Sequence, residues 1–276
     1  MSATTLHRAD RQPPGGPSRA AGGLLGVAGG ETFATEASGN RTFIAPRRSD
    51  VPSFDGPVTR ALVELADSYV LRRGHGVPVD VAERHEGVPT PAWLLAVAVV
   101  RSTSRELISD TLELANAAGV PSPSLGDCVA YVELAAGLFA GRPVAAAVDM
   151  ATSGGRRHCT PPVGGSSRPS LCGEGPVDAL TAGIWALQQP GGIAEVIPAL
   201  AEVTTPGVGA AAVGLLGLRD GCASMPGHWQ RRLRSAPDCL ALAPGLVRAR
   251  CRGHQLHRHL DTPETPCVHG VVAGAR

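Results

Sequence analysis

The sequence contains no lysine: all 25 of its basic side chains are arginine. Aromatic residues are scarce at 3%, which argues against a sheet sandwich built on aromatic and β-branched side chains. No long apolar run is present either. The longest, PAWLLAVAVV at 91–100, is far too short to span a bilayer. Strong charge of one sign is also missing, since the net charge is +1 with histidine neutral. No global field therefore draws the chain to nucleic acid or to an acidic membrane surface.

What is present is a hydrophobic fraction of 43%, spread over 276 residues and accompanied by 35 glycines. A chain of this size can bury a substantial core, and its alanine and glycine content suits helices that approach one another closely. The expected fold class is all-α. Seven scattered cysteines, an odd number, do not form a disulfide framework, and a reducing cytoplasm is the expected compartment.

Along the chain, residues 1–20 read as a disordered leader, 21–250 as one helical domain and 251–276 as an irregular, His-rich tail. Helices are expected over 21–36, over a stretch carrying Val58, Ala61, Leu62, Leu65 and Tyr69 behind Pro57, over 91–101 and over 104–118. Further helices are expected over 124–140, with Ser124 and Asp127 as a capping-box-like start, over 176–188, over 192–203 with a bend at Pro198, over 209–224, over 226–234 and over 237–250. The RPVAAAVDMA segment adds a short one. Residues 153–173 read as a long irregular loop.

The entrance to the 209–224 helix, Thr204-Thr205-Pro206-Gly207-Val208, carries no acid. Its surroundings give that absence meaning. VDALTAGIWALQQPGG, through Val177, Asp178, Leu180, Ala182, Trp185, Ala186 and Leu187, and GAAAVGLLGLRDGCASMPGHWQRRL, ending on Met225, Pro226 and Trp229, together resemble the late signature of the ADP-ribosylglycohydrolases. GGLLGVAGGETFA, DGPVTRALVELADSYV and residues 106–143 are similar to earlier elements of that family, in the same order. The resemblance covers residues 22–250. It implies an all-helical fold, removal of ADP-ribose from modified targets and two magnesium ions held by aspartates. The implied partners are ADP-ribose or an ADP-ribosylated protein.

The departures fall on the metal ligands. Counting back from Pro226, the family's Asp-x-Asp-Thr lands on Thr205, Pro206, Gly207 and Val208; its Thr-Asp-Asp lands on Asp55, Gly56 and Pro57; and Glu31 stands where the opening helix has aspartate. Two adjacent dications repel unless several carboxylates neutralise them. No cofactor is therefore expected, magnesium being admissible only at a substitute acidic site. Catalysis by the family route should be weak or lost, and the alternative is a non-catalytic ADP-ribose-binding or protein-interaction module. Asp55, Glu31 and Asp127 remain as candidate catalytic acids, although capping a helix is the commoner work of such residues. Thr204, Thr205, Gly207 and Gly209 are the candidate ligand-binding residues, offering backbone N–H groups to a phosphate.

Two further clusters carry less. Cys251, His254, His257, His259, Cys267 and His269 have zinc-compatible donors, but their spacing matches no closed four-ligand module, and chance clustering is the reading. His158 and Cys159 in the long loop have no third orienting residue and read as surface.

Overall fold

In the computed structural model, the described residues are 15–39, 55–88, 90–153, 173, 175–201 and 204–260; they form helices and turns, with no β-strand among them. The helices are α1 (Gly16–Gly39), α2 (Pro57–Leu71), α3 (Val79–Arg84), α4 (Leu95–Val100), α5 (Ser104–Ala117), α6 (Leu125–Phe139), α7 (Val144–Thr152), α8 (Pro176–Gln188), α9 (Ile193–Ala201), α10 (Pro206–Asp220), α11 (Gly227–Gln230) and α12 (Ala236–Leu260). The all-α expectation holds. No helix among the described residues is long and apolar enough to cross a membrane.

The centre of the fold is the pair α1 and α10. Every residue of α10 from Gly207 to Leu218 is buried, as befits a helix that is apolar and small on all sides. Glycines one turn apart on α1 decide how closely it packs. A methyl group added at Gly22, Gly26 or Gly30 would stand 2.3 Å from the carbonyl oxygen of Gly217, Val213 or Gly209 respectively. Position 22 thus faces 217, 26 faces 213 and 30 faces 209, so the helices run antiparallel with their backbones in contact. At this separation Cα–H groups face carbonyl oxygens, a weak but repeated attraction.

Arginine supplies much of the helix termination, where the fork of a guanidinium can satisfy several carbonyls at once. Arg19 donates to the carbonyls of Leu138 at 2.7 Å and Leu218 at 3.5 Å, joining the ends of α6 and α10. Arg219 donates to Leu187 O at 3.0 Å and Gly191 O at 3.2 Å, holding the end of α8. Arg250, from α12, reaches the carbonyls of Ala98, Val99 and Arg101 at the end of α4.

Several expectations need correction. The leader is not irregular through residue 20, because α1 begins at Gly16 and Ala20 is fully buried. The tail is not irregular from Cys251, because α12 continues to Leu260; residues from 261 onward, with Cys267 and His269, lie outside the described residues, as does the stretch 154–172 with His158 and Cys159. The Ser124–Asp127 cap does not form: a 3-10 turn over Ser122–Ser124 runs straight into α6, and Ser124 makes no capping hydrogen bond. The box sits instead at Thr103, whose hydroxyl oxygen accepts from Glu106 N at 3.3 Å while lying 2.9 Å from the Glu106 carboxylate. The short helix α3 had no signal in the apolar spacing.

Candidate functional site

The antiparallel packing of α1 on α10 places the first turn of α10 against residues 30–34 of α1. A methyl group at Gly209 would stand 3.0 Å from both Ala34 Cβ and Gly30 O. The same stretch of α1 carries Glu31, which points at the first turn of α2. The N-termini of α2 and α10, where the resemblance puts the metal aspartates, therefore meet the same turn of α1.

Glu31 is 2% exposed, and both of its carboxylate oxygens are engaged. Oε1 accepts from Val58 N at 3.0 Å; Oε2 accepts from Thr59 N at 2.8 Å and from the Thr59 hydroxyl at 2.6 Å. These are the charge-assisted bonds a helix N-terminus offers an anion. Asp55 does not do this work. The N-cap position of α2 is Gly56, without a side-chain cap, and Asp55 lies half-buried before it. Burial pushes the Cys239 thiol on α12 up to about 12, and the negative charges of Asp238 and, less, Asp55 add to it.

The α10 entrance is closed in a different way. Thr205 holds the N-cap position without a capping bond, and its buried hydroxyl has no hydrogen-bond partner among the described residues. The Thr204 hydroxyl donates to Leu200 O at 2.8 Å. Thr90, which precedes a 3-10 turn at Pro91–Leu94, donates to Gly207 O at 3.1 Å and accepts from Ala92 N at 3.4 Å. A methyl group at Gly207 would stand 3.1 Å from Thr90 Cγ2. The Gly209 N–H is spent on Thr205 O at 2.8 Å. Gly207 and Gly209, candidate phosphate contacts in the sequence, are thus packing glycines. Beside them a crevice of about 10 Å³, lined by Phe33, Ala34, Ile197, Leu200, Thr204 and Val213 among others, has room for roughly one water.

Asp127 is buried in the first turn of α6, one turn before Tyr131, whose hydroxyl donates to Ala211 O on α10 at 3.1 Å. Among the described residues no three His, Cys, Asp or Glu side chains group as metal ligands, so Glu31, Asp55 and Asp127 are not gathered into such a set. Of the positions on which the sequence resemblance puts metal ligands, Asp55, Gly56, Pro57, Thr205, Gly207 and Val208, only the first is acidic. Glu31 is committed to three donors on α2. Two magnesium ions, each requiring near-octahedral oxygen ligation, do not fit this donor set.

Sequence reasoning missed Thr90 altogether and missed the reach of Glu31. Thr90 carried a usable signal, a threonine directly before a proline at a helix start. Glu31 carried another, as the lone charged residue directly after a run of small and apolar residues.

No protein-family model matches the chain, and no curated protein matches it in sequence. Among solved structures, a chain described as an ADP-ribosylglycohydrolase-related protein complex is similar with a TM-score of 0.69 at 18% identity, over 85% of this chain and 99% of that one. At that identity the likeness is one of fold, and the fold is ADP-ribosylglycohydrolase-like.

Proposed function

We propose that this chain is a metal-independent relative of the ADP-ribosylglycohydrolases in which hydrolysis of the ADP-ribose glycosidic bond is lost or reduced to a trace, and which serves as a binding or interaction module. The observation that carries this reading is the buried Glu31 carboxylate, held by Val58 N, Thr59 N and the Thr59 hydroxyl at the place where an acid-bearing α2 would hold a cation. Without metals, the water attacking an anomeric carbon is neither oriented nor acidified. Each such effect is worth several kcal/mol, and losing both metals costs many orders of magnitude in rate. In this reading Asp55, Glu31 and Asp127 act structurally and not as an acid–base set.

ADP-ribose, or a protein carrying it, is the ligand class the likeness of fold favours. We place the protein in the cytoplasm, in keeping with free Cys128, Cys222, Cys239 and Cys251. The test is incubation with an ADP-ribosylated arginine or serine peptide, with and without magnesium, following release of ADP-ribose by mass spectrometry. The reading expects no magnesium-dependent release; sustained turnover that stops on chelation would overturn it.

A further inference from the structure

Gly56 has φ −72° and ψ 175°, an ordinary extended conformation open to any residue. Its backbone conformation does not require glycine, and although glycine is accepted at an N-cap, aspartate, asparagine and serine are preferred there. Space gives the reason. A Cβ built at position 56 would lie 2.1 Å from Glu31 Oε1 and 2.2 Å from Glu31 Cδ. The volume of a side chain at 56 is already filled by a carboxylate arriving from another helix.

We propose that Glu31 is the resident anionic ligand of the α2 N-terminus, and that it and any side chain at position 56 exclude each other. The charge a helix of this length attracts to its first turn is supplied from α1 instead of from the cap residue. The ligand is built into the fold: Glu31 is buried, both oxygens are bonded, and its neighbour Gly30 is locked against Gly209 of α10. On α10 the entrance is filled differently, by a hydroxyl that donates to a carbonyl. A glycine near a helix start is retained there while Thr90 fills the space over it and bonds to its carbonyl. Both entrances are closed by residues of the chain itself, joining α1, α2 and the segment before α4 to α10. This inference goes beyond the proposed function and does not depend on it, because it is read in stability and not in activity.

The test is a double-mutant cycle between positions 31 and 56 in the full chain, read by thermal unfolding. Gly56→Ala in the native background is expected to lower the midpoint by roughly 5–10 °C, the effect of forcing an extra group into filled space. In a Glu31→Ala background the same change should shift it by no more than about 2 °C. Glu31→Ala/Gly56→Asp should melt higher than Glu31→Ala alone, because a local aspartate cap replaces the lost carboxylate. If Glu31→Ala does not fold, Glu31→Asp, one methylene shorter, serves in the same cycle and should shrink the Gly56→Ala penalty. Equal Gly56→Ala penalties in both backgrounds, or no recovery by aspartate at 56, would overturn the proposal.

Discussion

Gly30 and Gly209 meet backbone to backbone: a methyl group at Gly30 would stand 2.3 Å from the Gly209 carbonyl oxygen and 2.7 Å from its carbon. Neither atom belongs to a flexible side chain, so the helices themselves must separate to admit it. Gly30→Ala and Gly26→Ala are each expected to cost about 3 kcal/mol or more, despite the better helix propensity of alanine. Gly29→Ala, whose methyl would meet the mobile end of Met225 at 3.1 Å, should cost no more than about 1 kcal/mol. Urea unfolding of the three variants separates the cases.

A second joint lies past the C-terminal end of α2. Arg101 Nε is 2.5 Å from Asp110 Oδ2; the same oxygen accepts from the Tyr69 hydroxyl at 3.1 Å, and Arg101 also donates to Gly74 O at 2.6 Å and Gly76 O at 2.8 Å. Arg101→Met would leave a buried carboxylate and two carbonyls without their donor, which should cost about 3–5 kcal/mol.

The same pair sets a pH dependence. Burial pushes the Asp110 carboxyl above its ordinary value, against the pull of Arg101. A raised folded-state value means that the native protein holds the proton more tightly than the unfolded chain. The stability from this group is therefore full below the ordinary carboxylate range and is lost as pH rises through the raised value. Asp110→Asn should remove that component. Comparing the slope of unfolding free energy with pH from mildly acidic to neutral conditions in the two proteins measures it; identical slopes would contradict the assignment.

The thiols offer a check on packing. Burial pushes Cys128 and Cys239 up to about 12, whereas Cys251 is exposed. Since the thiolate is the reacting form, iodoacetamide at pH 8 should label Cys251 in the folded protein and reach Cys128 and Cys239 only after denaturation. Peptide mass spectrometry reads each position directly.

The helices were legible in the sequence wherever apolar spacing or a cap was local. The stripe Val58, Ala61, Leu62, Leu65 and Tyr69 is buried as its period implied, and Pro176 opens α8 as the helix-start rule expects. Boundaries failed where a helix runs on into tertiary packing: α1 starts earlier, at Gly16, where an added methyl group would stand 3.8 Å from Phe139 and Val247, and residues 251–260 of the His-rich stretch join α12. At the candidate site the missing acids at Gly56 and Gly207 could be read from the order of motifs. What fills their places could not, because Glu31 reaches Thr59 across 28 positions and Thr90 reaches Gly207 across 117. Such pairs are fixed by the way α1 lies on α2 and the segment at Thr90 lies on α10.

In the proposed function the helix entrances are filled by the chain's own groups, Glu31 at α2 and Thr90 at α10, and take up no paired cations. Magnesium titrated by calorimetry into the purified 276-residue chain, with the unfolding midpoint followed in parallel, tests this. No saturable heat and an unchanged midpoint are expected at millimolar magnesium, because an ion that binds only the folded state must stabilise it. Saturable binding of two ions per chain, with a midpoint that rises on addition and falls on chelation, would contradict it.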